Sequence, residues 1–132
     1  MLAATPLEVR EMSRFTWIEH KGTRILFGDF REVTRSDDLT AMIEEGKRVV
    51  KNQPPNSLLS LLDVTGLRFT VETARLLKEG MAHNTPFVKA TGIIGLSGLQ
   101  KVLFQAIRRI RGVTIESFAT REEAMDWLIT KR

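Results

Sequence analysis

The sequence predicts a single α/β domain with a mixed, mostly parallel sheet of about five strands. An N-terminal antiparallel hairpin and about four helices complete it, in the order β-β-α-β-α-β-α-β-α. Three observations support this prediction. The apolar run at 58–64 is typical of a strand covered on both faces, in the middle of such a sheet. Residues 97–100 and 120–123 have the spacing of helix capping boxes. Strand-like and helix-like segments alternate after residue 36, which favours right-handed crossovers and helices on both faces.

The first part of the chain is predicted to form a hairpin followed by a helix. Residues 15–19 and 23–28 read as two strands, and the segment between them has hairpin length. Ser36 is predicted as the N-cap of the first helix, with acidic residues in its first turn, where the helix dipole favours negative charge. Apolar residues then recur at helical spacing as far as Val50, and the Pro-containing segment 52–56 ends the helix.

The second helix is predicted from Thr70 or Val71 to about His83, followed by a core strand over 88–96. The predicted buried face of this second helix consists of residues that share one side: Val71, Ala74, Leu77 and Met81. The predicted outward side consists of Thr73, Leu76, Gly80 and His83. The Thr73 hydroxyl is therefore expected to face solvent near the positive end of the helix dipole.

A third helix, from Ser97 to a stop at Gly112, precedes the last strand over 113–118 and a final helix capped by Thr120. The predicted buried stripe of the third helix consists of Leu99, Val102, Leu103, Ala106, Ile107 and Ile110. Phe104 lies roughly 130° from the centre of that stripe. Two alternatives follow: Phe104 forms an exposed contact patch together with Leu76, or it packs under a loop or the N-terminal tail.

Composition limits the classes of protein that fit. The chain of 132 residues is long enough for one domain, predicted over 13–132, with 1–12 as an N-terminal tail. It contains no cysteine, no apolar run of about eighteen residues and no recognisable secretory signal, so a cytoplasmic protein without a membrane span is expected. The net charge of +4 is too small to indicate nucleic-acid binding.

Basic residues concentrate in the third helix. The segment 98–112 contains Lys101 and three arginines but no acidic residue. One explanation is that cations near the end of a helix complement its dipole. The other is that Lys101 and Arg108 contact an anion. The sequence leaves both open.

No motif indicates catalysis. His20 and His83 are isolated from other candidate ligands and are expected at the surface. The paired acidic residues fit helix starts or solvated faces, and no Gly-rich phosphate-binding loop follows a strand. A protein without enzyme activity, metal or cofactor is therefore predicted.

The candidate binding surface lies where the central strand meets the second helix, because sites in such sheets gather at the carboxyl ends of the strands. It consists of Asp63, Thr65, Thr70, Glu72, Thr73, Leu76 and Phe104. Thr73 is a candidate phosphoacceptor, because a helix N-terminus stabilises a phosphate, which would add about two negative charges to this surface. The alternatives are that Thr70 serves as an N-cap and that Thr73 is an ordinary solvent-facing residue.

Two stretches carry a resemblance to a known fold family. The first is LLDVTGLRFTVETARLL, residues 61–77, and the second is the spacing Phe118-x-Thr120-x-Glu122-Glu123-Ala124-x-x-Trp127-Leu128. Together with the order of elements, they resemble the STAS domain of anti-sigma-factor antagonists, and in particular its SpoIIAA-like subgroup. Thr73 takes the place of that family's phosphoacceptor serine, whereas Val71 and Glu72 stand where the family has an aspartate and another serine.

The resemblance implies a regulatory protein-binding module of the STAS type. Its expected partner is a kinase-like or anti-sigma-like protein, bound around the helix that starts near Thr70. The alternative is a module of the same fold that binds an apolar small molecule or a lipid, to which the apolar residues beside the basic third helix also point. A homodimer through the exposed edge of the hairpin is a further possibility that the sequence leaves open.

Overall fold

The computed structural model describes residues 13–109 and 112–132. The predicted tail 1–12 and the predicted core residue Ile110 lie outside the described residues. The strands are β1 (Phe15–His20), β2 (Thr23–Asp29), β3 (Leu58–Asp63), β4 (Val88–Ile94) and β5 (Ile115–Phe118). The helices are α1 (Ser36–Val50), α2 (Val71–Asn84), α3 (Leu99–Arg108) and α4 (Arg121–Ile129).

The five strands form one mixed sheet in the order β1-β2-β3-β4-β5. The β1–β2 hairpin is antiparallel, and each later strand pairs in parallel with the strand before it. The apolar segment predicted at 58–64 forms β3, the central strand, since it buries side chains on both faces of the sheet. The predicted fold class is confirmed.

Helices cover both faces of the sheet, as predicted. Helices α1, α2 and α3 each connect neighbouring parallel strands, and right-handed crossovers in one continuing direction bring all three to the same face. Their core includes Leu39, Leu77 and Phe104. Helix α4 covers the opposite face, where Ala124 and Leu128 pack against side chains of the inner strands.

The helix starts agree with the predicted caps in two cases. Thr70 and Thr120 cap α2 and α4, and each side-chain oxygen accepts a hydrogen bond from a backbone N–H three residues later. The other two predicted caps are wrong by one residue. Arg35 is the N-cap of α1, and Gly98, with φ of 45°, is the N-cap of α3.

The predicted buried face of α2 is wrong in part. Leu77 is buried and Met81 is partly buried against the core, as predicted, but the buried face is rotated from the predicted one. Val71 is 90% exposed, whereas Thr73 and Gly80 are buried and Leu76 is partly buried against the core. A Cβ atom at position 80 would lie 2.9 Å from Ile43 Cγ2, so the absent side chain allows α1 and α2 to approach closely. This contact turns the Gly80 side of α2 inward.

The predicted stripe of α3 is also rotated from the buried one. Ile107 is buried, as predicted, but Val102 and Ala106 are exposed, while Gln100 and Phe104 are buried. The side chains of Leu99 and Leu103, also predicted in this stripe, lie outside the described ones. Gln100 Nε2 donates a 2.8 Å hydrogen bond to the Leu67 carbonyl, which holds this side of the helix against the preceding loop. The exposed patch predicted from Leu76 and Phe104 is therefore absent, because Phe104 is only 4% exposed.

The two histidines differ. His83 is exposed, as predicted. His20 is not a free surface residue: its side chain is largely buried, and its Nε2 lies 2.8 Å from Asp126 Oδ1 in α4. The hairpin and the last helix are thus joined by a polar contact that the sequence did not indicate.

Candidate functional site

Two aspartates stand side by side at the carboxyl edge of the parallel strands. Asp29 ends β2 and Asp63 ends β3, and the two residues are paired in register. Asp63 Oδ1 accepts hydrogen bonds from the Thr65 backbone N–H at 3.0 Å and from Thr65 Oγ1 at 2.7 Å. The structure therefore brings Asp63 and Thr65 together at the predicted edge. Asp63 is buried and holds the turn, so it contributes little exposed surface.

Arg31 extends this pair into a charged cluster. Its Nε and Nη2 donate to the two carboxylate oxygens of Asp29 at 2.8 and 2.9 Å, and its Nε lies 3.9 Å from Asp63 Oδ2. The hydrogen bonds from Arg31 lower the pKa of the Asp29 carboxyl below its ordinary value, and Asp29 raises the pKa of Arg31. Sequence reasoning missed Asp29 and Arg31. The available signal was an aspartate at the end of each of two adjacent parallel strands.

The loops after β2 and β3 are held together by backbone hydrogen bonds. Phe30 N–H donates to Asp63 O, Glu32 N–H to Thr65 O, and Arg68 N–H to Val33 O, each at 2.9 Å. The loop after β4 packs closely against the loop after β3, since a Cβ atom at Gly95 would lie 2.6 Å from Thr65 N. With φ of 89°, Gly95 also adopts a conformation that favours glycine. The three loops at this edge of the sheet are therefore held against one another.

The start of α2 differs from the prediction at Thr73. Thr73 Oγ1 accepts from the Thr70 backbone N–H at 2.7 Å and lies 3.1 Å from the Arg68 carbonyl, to which it donates. The Thr73 backbone N–H donates to Thr70 Oγ1 at 3.1 Å, which completes a capping box. With Thr73 only 5% exposed, the expectation that its hydroxyl faces solvent is wrong. Phosphorylation stays a prediction, and it would require this capping box to open.

Apolar surface at the edge lies elsewhere than predicted. Among the side chains that the structure describes, two large apolar ones are exposed: Val71 at 90% and Val102 at 64%. They occupy the first turns of α2 and α3, which both begin at the carboxyl edge of the sheet. Glu72 beside Val71 and Lys101 beside Val102 are exposed as well.

The two candidate anion-contacting residues are separated along α3. Lys101 is exposed in the first turn of the helix, at the carboxyl edge of the sheet. Arg108 lies in the last turn, where its Nη2 forms an ion pair of 3.4 Å with Glu116. The structure therefore does not bring them together as one anion site.

A cavity of about 80 Å³ lies between the sheet and helices α1 and α2. Its walls are mainly apolar side chains, among them Leu26, Leu62, Leu77, Met81 and Val88. Five polar residues also line it: Ser60, Asn84, Thr85, Thr91 and Thr114. Of these, Ser60 and Thr91 are paired in register on β3 and β4, with their oxygens 2.8 Å apart. The sequence did not predict this cavity.

The described part of the chain shows two further properties. Within residues 13–109 and 112–132, no group of three or more carboxylate and imidazole side chains is placed to hold a metal ion. None of the described helices combines the length and the apolar character needed to cross a bilayer.

Comparison with known proteins identifies the fold. No family model matches the chain, and no curated protein matches it. The structure is similar to that of an uncharacterized protein of the DUF3478 family from Shewanella loihica PV-4, which has a SpoIIAA-like fold. The TM-score is 0.67 at 20% sequence identity, and the match covers 86% of this chain and 91% of that chain. At this identity the likeness shows the fold alone. The chain has a SpoIIAA-like fold, which confirms the resemblance in fold inferred from residues 61–77 and 118–128.

Proposed function

We propose that the protein is a non-catalytic regulatory module that binds another protein through the carboxyl edge of its sheet. One observation carries the proposal. The two exposed large apolar side chains of the described surface, Val71 and Val102, both stand in first helical turns at this edge. Single exposed apolar residues are common and need no explanation, but two at the same edge of a fold form a candidate contact.

The surroundings of the two valines define the kind of partner. Exposed Glu72 and Lys101 flank them with opposite charges, and Thr65 and Thr70 are further exposed residues at this edge. A protein surface with a small apolar contact and charges of both signs complements this edge. The bonded loops beneath it keep the edge in one conformation, which reduces the entropy lost on binding. A kinase-like or anti-sigma-like regulator is the proposed class of partner.

A comparative pull-down from extract of the organism's own cells tests the proposal. The bait is the full chain, either wild type or with Val71→Glu and Val102→Glu. Ala82→Glu serves as the matched control, because Ala82 is exposed at the opposite end of α2. We expect a protein that wild type and control retain to be lost from the double variant, while circular dichroism shows all three folded. Equal retention by a folded double variant would refute this surface.

A second candidate function is the binding of an apolar small molecule, which the cavity between the sheet and helices α1 and α2 favours. Its 80 Å³ is about half the ~150 Å³ of an engineered cavity that accepts benzene, so the cavity has no room for a lipid chain. Native mass spectrometry of the purified protein tests this function. A co-purified mass lost on denaturation supports it, and a bare protein mass with no binding of added small apolar compounds contradicts it.

A homodimer through the outer edge of β1 stays a prediction. Within the part of the chain that the structure describes, strand β1 is one end of the sheet, and an unpaired strand edge offers backbone groups to a second copy. Analytical ultracentrifugation across a hundredfold concentration range tests it. A single monomer mass at every concentration would exclude the dimer.

A further inference from the structure

The hydroxyl pair Ser60–Thr91 has one more hydrogen than it uses. The two oxygens lie 2.8 Å apart and share one hydrogen bond, in which either can be the donor. Two hydroxyl groups carry two hydrogens, so the second hydrogen remains after that bond is formed. Neither hydroxyl makes another hydrogen bond to the described residues. With Ser60 8% and Thr91 2% exposed, bulk water does not reach the pair freely.

The unused hydrogen lies at a wall of the cavity. Both residues line the free volume between the sheet and helices α1 and α2. A buried hydroxyl hydrogen without an acceptor is unfavourable, whereas an acceptor placed in the cavity would complete its hydrogen bonding. The pair is thus a donor within an otherwise mainly apolar space.

The remaining walls restrict what can occupy the cavity. No Asp, Glu, Lys, Arg or His lines it, so a charged guest would lose its hydration without gaining a counter-ion. Leu26, Leu62 and Leu77 favour an apolar body. The volume of about 80 Å³ corresponds to roughly two or three waters, or, scaled from the ~150 Å³ cavity that accepts benzene, to an organic molecule of about three or four heavy atoms.

We propose that this cavity is a binding site for a small, neutral, mainly apolar molecule whose single oxygen accepts a hydrogen bond from the Ser60–Thr91 pair. Short-chain ketones and ethers are the chemical class that fits. The proposal rests on the second candidate function, small-molecule binding, and specifies its selectivity. The protein-binding surface proposed around Val71 and Val102 is separate from this cavity.

A matched pair of probes tests the proposal. Acetone carries a carbonyl oxygen, and 2-methylpropene has nearly the same shape with a methylene group in its place. Binding to the full chain is followed by NMR, through the methyl signals of Met81 and Leu77, which line the cavity. We expect saturable binding of both probes, and the quantity compared is the ratio of ketone to alkene affinity, because the ketone alone loses hydration on entering the cavity and alone accepts the hydrogen bond there.

The double variant Ser60→Ala and Thr91→Val supplies the control. It removes both hydroxyls with little change of cavity volume, so the ketone should bind about tenfold more weakly while alkene binding stays unchanged. A ratio of ketone to alkene affinity that is the same in wild type and variant would overturn the role of the hydroxyl pair and leave small-molecule binding standing. If neither probe binds saturably, or ordered water alone occupies the cavity in their presence, both the inference and the second candidate function fail.

Discussion

The two faces of the sheet are covered in different ways. Among the described residues, α4 is the one helix on its face of the sheet, and five core residues there have no exposed surface: Ile25, Leu61, Ala90, Ala124 and Leu128. On the other face, where three helices lie, a cavity of about 80 Å³ and a buried hydroxyl pair remain. The face with fewer helices is the more closely packed one.

Consecutive residues of β4 show how this difference arises. Thr91 faces the cavity, whereas Gly92 faces α4, because successive residues of a strand point to opposite sides. A Cβ atom at Gly92 would lie 3.3 Å from Ala124 Cβ, so a missing side chain lets α4 approach the sheet. The closely packed face beneath α4 should therefore contribute more to stability, whereas the face beneath α1, α2 and α3 has the free volume that a ligand needs.

The largest expected effect is the loss of a fully buried side chain beneath α4. Leu128 has no exposed surface, so Leu128→Ala should lower the free energy of unfolding by about 2–5 kcal/mol. Met81→Ala on the cavity face is the matched comparison. Met81 is partly exposed and borders free space, so it has fewer contacts to lose and should cost less. Urea unfolding of both variants measures the difference, and an equal loss would show that the faces are packed alike.

Added volume should have opposite effects on the two faces. Gly92→Val forces methyl groups against Ala124 and should cost about 1–3 kcal/mol of stability. The double substitution Ser60→Val and Thr91→Val replaces both hydroxyls with apolar groups beside free volume, and it should be neutral or stabilise the fold by up to about 1 kcal/mol. Chemical denaturation of both variants provides the measurement. Comparable destabilisation by the two would argue that no usable space exists beside Ser60.

Removing a hydroxyl from a helix cap should cost less stability than the changes above, and the cost should differ between α2 and α4. Thr73→Ala in α2 and Thr120→Ala in α4 each remove a hydroxyl from a capping arrangement, at an expected cost of about 0.5–2 kcal/mol. The loss should be larger at Thr73, because Thr73 is buried and its absence leaves the Thr70 N–H without its acceptor. Thr73→Ser retains the hydroxyl and should stay close to wild type in thermal unfolding. A Thr73→Ala protein as stable as wild type would contradict a structural role for this hydroxyl.

Local patterns in the sequence predicted the fold well. The order of elements depends on strand and helix periodicity, and the caps at Thr70 and Thr120 depend on residues three positions apart. The rotation of α2 and α3 could not be predicted in this way. It depends on the approach of Ile43 to Gly80 and on the bond from Gln100 to the Leu67 carbonyl, which join segments distant in sequence.

The candidate site was predicted in place but not in detail. The end of the central strand marked Asp63 and Thr65, because sites of α/β sheets gather there. The pairing of Arg31 with Asp29 across the edge requires the register of β2 with β3, which no local pattern specifies. The cavity is the space left between packed elements, so only their mutual positions reveal it.

The smallest expected effect is a dependence on pH of the contact between α4 and the hairpin. Asp126 Oδ1 lies 2.8 Å from His20 Nε2 and accepts a 3.0 Å hydrogen bond from Lys21 Nζ. These bonds, the one to His20 first, lower the pKa of the Asp126 carboxyl below its ordinary value of 3.8. A lowered pKa in the folded state means that the contribution to stability is present above about pH 4 and is lost as the pH falls through the lowered value.

Urea unfolding at pH 5 and at pH 3 measures this contribution. Wild type should lose more stability between the two pH values than Asp126→Asn, which has no carboxyl to protonate. His20→Phe removes the main cause of the lowered pKa and should resemble Asp126→Asn in this respect. The effect should be small, because Asp126 is about half exposed and solvent screens its interactions. If all three proteins lose the same stability, the polar contact to the hairpin does not contribute, and the close packing of α4 rests on its apolar contacts alone.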